Sequence, residues 1–129
     1  MSVGILLITH SNVGKALLDT AEATLRTLPL AVEFMPVGLD ANVAEITAKA
    51  RRAAEELDSG HGVLVMTDAY GATPANIAVA LCQNQNNRIV LAGLNLPMLL
   101  RALNYPKLSL EELAEVALQG GQRGVIRCP

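Results

Sequence analysis

The chain has 129 residues, of which 51% are hydrophobic and 2% aromatic, and ten basic against twelve acidic residues give a formal net charge of −2. This length suits one compact domain with an aliphatic core, and the charge gives no reason to expect binding to nucleic acid or an anionic membrane. No segment is long and apolar enough to span a bilayer, and the N-terminus does not resemble a secretory signal. Two cysteines, Cys82 and Cys128, make no disulfide framework, so we expect a reduced, cytoplasmic setting.

Four short apolar runs predict the strands of a sheet. They span residues 3–9, 31–37, 62–67 and 88–94. The first, third and fourth runs are almost continuously apolar, as is typical of parallel strands that are covered on both faces. The second run contains a charged residue and a proline, which favours an edge strand.

Helical patterns separate these runs. Apolar residues spaced by three or four predict helices over residues 13–28 and 41–58. A third helix is predicted over residues 74–84, because Thr73 is a good N-cap and Pro74 suits a first helical position.

The last part of the chain contains two further helical signals. Residues 96–103 predict a short helix, and a capping box that starts at Ser109 predicts a last helix to about residue 119. The glycine pair at 120–121 is expected to end that helix, and residues 123–127 could form a short final strand.

Alternating strands and helices predict an α/β fold, an open doubly wound and mostly parallel sheet with helices on both faces, within a single domain over residues 1–129. Such sheets bind ligands beyond the carboxyl ends of the strands, at the point where the strand order reverses. If the order is 2-1-3-4, that point lies between the first and third strands. The residues that leave these strands include His10 and Asp68, so we expect these two side chains to lie close together.

A histidine beside an aspartate can act as a nucleophile. The carboxylate accepts the N–H of one ring nitrogen, leaves the other nitrogen unprotonated and stabilises the charge that grows on the ring. A transferred phosphoryl group would also need donors for its oxygens, which two helix N-termini could supply at this edge. The further candidates for binding such a group are Ser11, Asn12, Gly71 and Thr73.

Structural interpretations compete with this hypothesis. His10 could be an ordinary loop residue, and Asp68 and Thr73 could serve only as turn and cap residues. His61 precedes its strand, so it should lie at the opposite end of the sheet, and a structural role is favoured there.

Other site classes fit the sequence poorly. A phosphate-binding loop would need glycine at position 9 and a hydroxyl residue at position 16, where this chain has Thr9 and Ala16. No dinucleotide-binding glycine motif follows the first strand, and no acidic pair stands there to hold magnesium as in a receiver domain. A metal site would have two ligands and no clear third, so we expect no metal and no cofactor.

Three segments resemble the signature regions of a known family. They read "VGILLITHSNVGKALL", "GVLVMTDAYGATPANIA" and "LAGLNLPMLLRAL". Together they are similar to the mannose-family (fructose/mannose/sorbose) EIIA domain of the bacterial phosphoenolpyruvate-dependent sugar phosphotransferase system, in order and over essentially the whole chain.

The resemblance implies specific roles. His10 would accept a phosphoryl group from the phosphohistidine of the carrier HPr, through Nε2, and pass it to a histidine of an EIIB partner. Asp68 would orient the ring, and Thr73 would take the phosphoryl-binding role that a serine has in the family's "GGSP" segment. Ala72 departs from that segment by adding a Cβ atom, and Asn95 and Pro97 would lie at the same rim.

The resemblance also implies a homodimer in which a C-terminal segment crosses to the partner's sheet. No EIIB domain follows in this sequence, so we expect the EIIB component on a separate chain and only an indirect link to the membrane through a permease complex. Two alternatives stay open: a regulatory protein controlled by phosphorylation of His10, and the phosphotransfer subunit of dihydroxyacetone kinase.

Overall fold

The computed structural model describes residues 2–129. In chain order the elements are β1 (Gly4–His10), α1 (Val13–Leu25), β2 (Val32–Val37), α2 (Val43–Leu57), β3 (Val63–Thr67), α3 (Thr73–Cys82), β4 (Arg88–Ala92), α4 (Leu96–Leu103) and α5 (Leu110–Arg123). The four strands form one sheet in the order β2-β1-β3-β4, and all neighbouring strands are parallel. The predicted α/β fold, its strand order and the edge position of β2 are therefore confirmed.

The sheet separates two apolar cores, because alternate side chains of each strand point to opposite faces. Leu7 and Met66 face the core that contains residues of α1, α4 and α5. Leu6 and Val65 face the core formed with α2 and α3. All four side chains are fully buried, which explains why these strands are continuous apolar runs.

Two helix boundaries differ from the predicted ones. Helix α1 ends at Leu25 rather than near residue 28, because Arg26 adopts a left-handed conformation (φ 68°) that closes the helix. The prediction of Thr73 as an N-cap is wrong. Ala72 is the N-cap of α3, and its carbonyl accepts the Asn76 N–H at 3.0 Å, so Thr73 is the first helical residue.

The prediction that the glycine pair ends the last helix is also wrong. The predicted capping box at Ser109 is present, but α5 continues through Gly120 and Gly121 to Arg123. The reason is packing against α4, since a Cβ atom on Gly120 would lie 2.6 Å from the Cβ of Arg101. The glycines let the two helices approach each other closely.

The structure of this single chain contains no strand at the C-terminus within the described residues. Arg123 ends α5, and residues 125–129 belong to no helix or strand. The apolar side chains of Val125 and Ile126 are 79% and 72% exposed. A strand that forms only with a second chain therefore stays a prediction. None of the helices within residues 2–129 has both the length and the apolar character needed to cross a membrane.

Candidate functional site

The site lies where three parallel strands end. His10 is the last residue of β1 and pairs with Val37 at the end of β2, and Asp68 directly follows β3. Because parallel strands present their carboxyl ends at one edge of the sheet, these residues meet there. The expected proximity of His10 and Asp68 is observed.

Asp68 holds both the ring and the backbone of His10. Its Oδ2 atom lies 2.9 Å from His10 Nδ1 and accepts the His10 backbone N–H at 3.1 Å. Its Oδ1 atom accepts the Ala69 N–H at 3.1 Å, which fixes the orientation of the carboxylate. A carboxylate this close to Nδ1 requires a proton on that nitrogen, so in the neutral ring Nε2 has the free lone pair.

The histidine ring is more accessible than the carboxylate that orients it. The His10 side chain is 46% exposed, whereas the Asp68 side chain is 15% exposed. Because the Asp68 carboxylate is mostly covered, water competes little for its hydrogen bonds. The exposed His10 ring is accessible to a reaction partner. Chemically, an oriented and accessible imidazole of this kind could act as a nucleophile.

The turn after His10 holds an unfavourable backbone conformation. Ser11 has φ 39°, which is costly for a residue other than glycine, and its N–H donates to the Val37 carbonyl at 3.0 Å. Such strain persists where surrounding contacts impose it, and it is common at functional sites. Because the Ser11 N–H already has a partner, it does not point freely into the site.

Thr9 connects this turn to the start of α1. Its Oγ1 atom accepts the Gly14 N–H at 2.8 Å and donates to the His10 carbonyl at 3.3 Å. Asn12 is the N-cap of α1, but its side chain makes no capping hydrogen bond. A strand residue therefore accepts one of the backbone N–H groups in the first turn of α1. Because the Gly14 N–H already donates to Thr9, it is not available to a ligand.

A small cavity of about 170 Å³ contains the exposed ring. It is lined by His10, Val37, Gly38, Leu39, Ala41, Val43, Thr73 and Pro74. His10 thus lies on the same side of the sheet as α2 and α3. The N-terminus of α3 has no side-chain cap, so its first amides and the Thr73 hydroxyl are candidates for binding an anion beside His10.

Sequence reasoning missed the contribution of the β2–α2 connection. Residues 37–43 supply most of the cavity lining, and they include Leu39, whose side chain is fully exposed. A signal was available, because β2 was expected beside β1 and its carboxyl end therefore lies at the same edge. The connection was overlooked because it contains no nucleophile and no glycine-rich motif.

Three of the predicted binding residues lie beside the cavity rather than in its lining. Ser11 and Asn12 form the β1–α1 turn, and Gly71 lies in the β3–α3 connection. Gly71 has φ 87° and no atom within 4 Å of the position that a Cβ atom would take. This glycine is therefore needed for its backbone conformation and leaves open space over the loop.

Asn95, at the end of the connection into α4, has a structural role. Its side-chain oxygen accepts the Met98 N–H at 2.9 Å and caps α4, and its amide group donates to the Gly121 carbonyl at 3.1 Å. His61 lies elsewhere, in a separate cavity lined also by Gly62, Asn87 and Ser109. Among the described residues no third His, Cys, Asp or Glu side chain joins His10 and Asp68 in a metal-binding group.

Comparison with known proteins assigns the family. The family model EIIA-man, described as "PTS system fructose IIA component", matches residues 4–118. The chain belongs to this family. The "PTS system mannose-specific EIIAB component" of Escherichia coli strain K12 is 30% identical, and the match covers 97% of this chain and 39% of that protein. The chain thus spans about two-fifths of the length of the curated relatives that it matches.

Solved structures of EIIA proteins share the fold. The mannose/sorbose-specific IIA subunit from Enterococcus faecalis superimposes with a TM-score of 0.88 at 26% identity, covering 100% of this chain and 96% of that chain. A PTS IIA protein associated with the fucose utilization operon of Streptococcus pneumoniae has a TM-score of 0.82 at 27% identity, covering 98% and 96%. The EIIA architecture is therefore present over essentially the whole chain.

Proposed function

We propose that this mannose-family EIIA protein is a phosphocarrier that accepts a phosphoryl group on Nε2 of His10 and passes it on. The donor is phospho-HPr and the acceptor is a histidine of an EIIB component. The observation that carries the proposal is the 2.9 Å contact between Asp68 Oδ2 and His10 Nδ1 at the accessible end of β1. Family membership supports the phosphotransferase role.

The transfer needs no oxidant, reductant or cofactor. The lone pair of His10 Nε2 forms a new N–P bond while the N–P bond of the donor phosphohistidine breaks, and the donor nitrogen keeps that electron pair. The Nδ1 proton stays on His10, and the adjacent Asp68 carboxylate stabilises the positive charge that develops on the ring. Transfer to the EIIB histidine reverses these roles. Because both ends are N–P bonds, the protein mainly supplies alignment and donors for phosphoryl oxygens.

The start of α3 is the best candidate for binding the phosphoryl group. Thr73 lines the His10 cavity, and the helix begins there without a side-chain cap. An uncapped helix N-terminus attracts an anion through its free N–H groups and its dipole. Gly71, Ser11 and Asn12 lie outside the cavity lining, so we propose for them the weaker role of shaping the loops around the phosphoryl group.

The experiment is phosphotransfer from labelled phosphoenolpyruvate through enzyme I and HPr. Wild-type protein should become labelled, and His10→Ala should stay unlabelled. Asp68→Asn should fold but accept the label roughly 10- to 100-fold more slowly, because a hydrogen bond to a charged group is lost. Asp19→Asn, which removes an exposed carboxylate paired with Lys15, is the matched control and should transfer normally. An unlabelled wild type, or labelling of His10→Ala at the wild-type rate, would refute the proposal.

We also propose that residues 1–129 act as one EIIA domain and that this domain forms a homodimer. Strand β4 has no partner on its outer side within residues 2–129, and its five residues are only half-buried although they are mainly apolar. The exposed Val125 and Ile126 are suited to cover such an edge in a second chain. The cytoplasmic location stays a prediction.

A further inference from the structure

A second and larger cavity, which we call the α4–α5 cavity, is lined by residues of the last two helices. Its volume is about 340 Å³, within the roughly 300–1,000 Å³ that small-molecule sites measure. Its polar side chains are those of Arg101, Asn104 and Arg123, and its apolar side chains are those of Pro97 and Leu100. None of its lining residues belongs to the lining of the His10 cavity, so the two sites are separate.

The close approach of the two helices holds this cavity in place. A Cβ atom on Gly120 would lie 2.6 Å from the Cβ of Arg101, and one on Gly124 would lie 2.6 Å from the Cγ of Pro97. Later residues of α5 thus meet earlier residues of α4, so the helices run antiparallel. Arg123 follows Gly120 by three positions and lies on the same helix face. Both arginines therefore extend from backbone that helix packing fixes.

The two arginines of the cavity are not neutralised by carboxylates. Neither guanidinium group forms an ion pair within residues 2–129. No acidic residue stands three or four positions away from Arg101 or Arg123, the spacing at which helical ion pairs form. Because two like charges that line one cavity repel each other, an anion between them would be stabilised.

The Arg101 guanidinium group is oriented by a neighbouring ring. Its Cζ atom lies 5.3 Å from the centre of the Tyr105 ring, and a guanidinium over a ring keeps N–H groups at its edge as donors. An arginine in the last turn of a helix also offsets the helix dipole. That role alone would place Arg101 and Arg123 at opposite ends of an antiparallel pair, so it does not explain why both line one cavity.

The chemistry of the lining indicates the class of ligand. Guanidinium groups bind phosphate oxygens through paired N–H donors, and two of them suit a doubly charged group. The Asn104 amide adds another donor to the lining. The cavity measures about 340 Å³ against about 170 Å³ at His10, so it has room for a carbon body beside Pro97 and Leu100.

We propose that the α4–α5 cavity binds a small organic phosphate. Arg101 and Arg123 hold the phosphate group, Asn104 donates to its oxygens, and Pro97 and Leu100 contact the carbon body. The ligand is bound without any transfer of its phosphoryl group. The proposal therefore does not depend on the phosphocarrier function proposed for His10.

The test is isothermal titration calorimetry of the full chain with glycerol 3-phosphate, 3-phosphoglycerate and glucose 6-phosphate. At least one of them should bind wild-type protein with a Kd below about 1 mM. Arg101→Gln and Arg123→Gln should each raise that Kd roughly 10- to 100-fold, because hydrogen bonds to a charged group are lost. Arg51→Gln, which alters an exposed arginine of α2 outside the cavity, is the matched control and should bind normally.

A second variant keeps the test decisive if an arginine variant fails to fold. Asn104→Asp preserves the shape of an exposed side chain but adds a negative charge to the cavity. We expect it to unfold in urea like the wild type and to lose detectable binding, because like charges repel. His10→Ala should bind the same ligand with the wild-type Kd.

Each contrary outcome overturns a definite statement. If none of the three phosphates binds wild-type protein, or if Arg51→Gln weakens binding as much as the cavity variants do, the site is refuted. Wild-type affinity in folded Asn104→Asp would also refute it. Loss of binding in His10→Ala would place the ligand in the other cavity. Inorganic phosphate that binds as tightly as the organic phosphates would refute the contacts to a carbon body.

The oligomeric state separates a ligand from a second copy of the chain. A shift from dimer to monomer in Arg101→Gln or Arg123→Gln would show that a carboxylate of another copy occupies the cavity, and the proposal would fail. Because every readout here is binding or assembly rather than labelling of His10, such a failure would leave the proposed phosphocarrier function untouched.

Discussion

Two threonines at the site differ in how their hydroxyl groups are satisfied. Thr9 and Thr67 lie near the ends of the neighbouring strands β1 and β3, and they are 1% and 0% exposed. Thr9 Oγ1 accepts the Gly14 N–H and donates to the His10 carbonyl. Thr67 Oγ1 has no hydrogen-bond partner among the described residues. Burying such a hydroxyl costs free energy that a hydrogen bond normally offsets.

Replacing each threonine by valine should therefore have opposite consequences. Thr9→Val leaves the buried Gly14 N–H without an acceptor, and we expect the free energy of unfolding to fall by about 1–3 kcal/mol. Thr67→Val removes an unpartnered hydroxyl, so the free energy of unfolding should stay unchanged or rise by up to about 1 kcal/mol. Urea unfolding of both variants measures the difference. Equal losses in the two variants would contradict this assignment of hydrogen bonds.

At the scale of single residues, the sequence predicted that His10 and Asp68 lie close together better than it predicted the contacts around them. His10 and Asp68 were predictable neighbours, because strand order alone brings their strand ends together. The bonds of Thr9 were not predictable, since they depend on how closely α1 packs on β1. Gly14 permits that approach, because a Cβ atom there would lie 3.0 Å from Thr9 Oγ1.

Helices α4 and α5 form a glycine-mediated contact that also supports the rim of the site. The backbones approach where Gly120 meets Arg101 and where Gly124 meets Pro97, at positions that leave no room for a Cβ atom. The Asn95 side chain crosses from the end of the β4 connection to the Gly121 carbonyl of α5. The position of the loop after β4 therefore depends on this helix pair.

A methyl group at position 120 should disturb this contact. In Gly120→Ala the new Cβ atom would lie 2.6 Å from the Cβ and Cγ atoms of Arg101. Overpacking of about 1–3 kcal/mol outweighs a gain in helix propensity of up to about 1 kcal/mol, so we expect a net loss of about 1 kcal/mol in unfolding experiments. Gly38→Ala is the control, because no atom lies within 4 Å of its Cβ position. A Gly120→Ala protein as stable as wild type would contradict the tight packing.

The same contact explains why the last helix was misjudged. Two consecutive glycines usually indicate a helix end, because glycine is the poorest helix former apart from proline. In α5 the low helix propensity of glycine is outweighed by packing, because only glycine allows α4 to approach this closely. The capping box at Ser109 was predicted correctly because its hydrogen bonds form within four consecutive residues.

At the scale of the whole molecule, strand β4 is an edge of the sheet with no further strand beside it within residues 2–129. The edge strand β4 is half-buried throughout, and apolar residues after α5 remain in solvent. An uncovered apolar edge of this kind favours association. A homodimer that buries it would satisfy both features at once.

The dimer should depend on the exposed tail. We expect wild-type protein to sediment as a dimer at micromolar concentration and Ile126→Asp to shift the equilibrium towards monomer, because a charge would enter the covered edge. Ile126 is 72% exposed in the single chain, so the variant should still fold. Val79→Asp, an equally polar change on α3, should leave the dimer intact. A monomeric wild type would refute the dimer.

The sequence by itself determined the order and type of the elements, the two-sided burial of the sheet and the place of His10 and Asp68. These properties follow from local hydrophobic patterns and from the handedness of parallel crossovers, which act within or between adjacent segments. Only the tertiary structure decided that residues 37–43 line the His10 cavity. It also decided that Thr9 accepts the Gly14 N–H at the start of α1 and that α5 continues past Gly120 and Gly121. These contacts join segments that are distant in sequence or that pack side by side, and their distances depend on the packing of entire helices rather than on any local pattern.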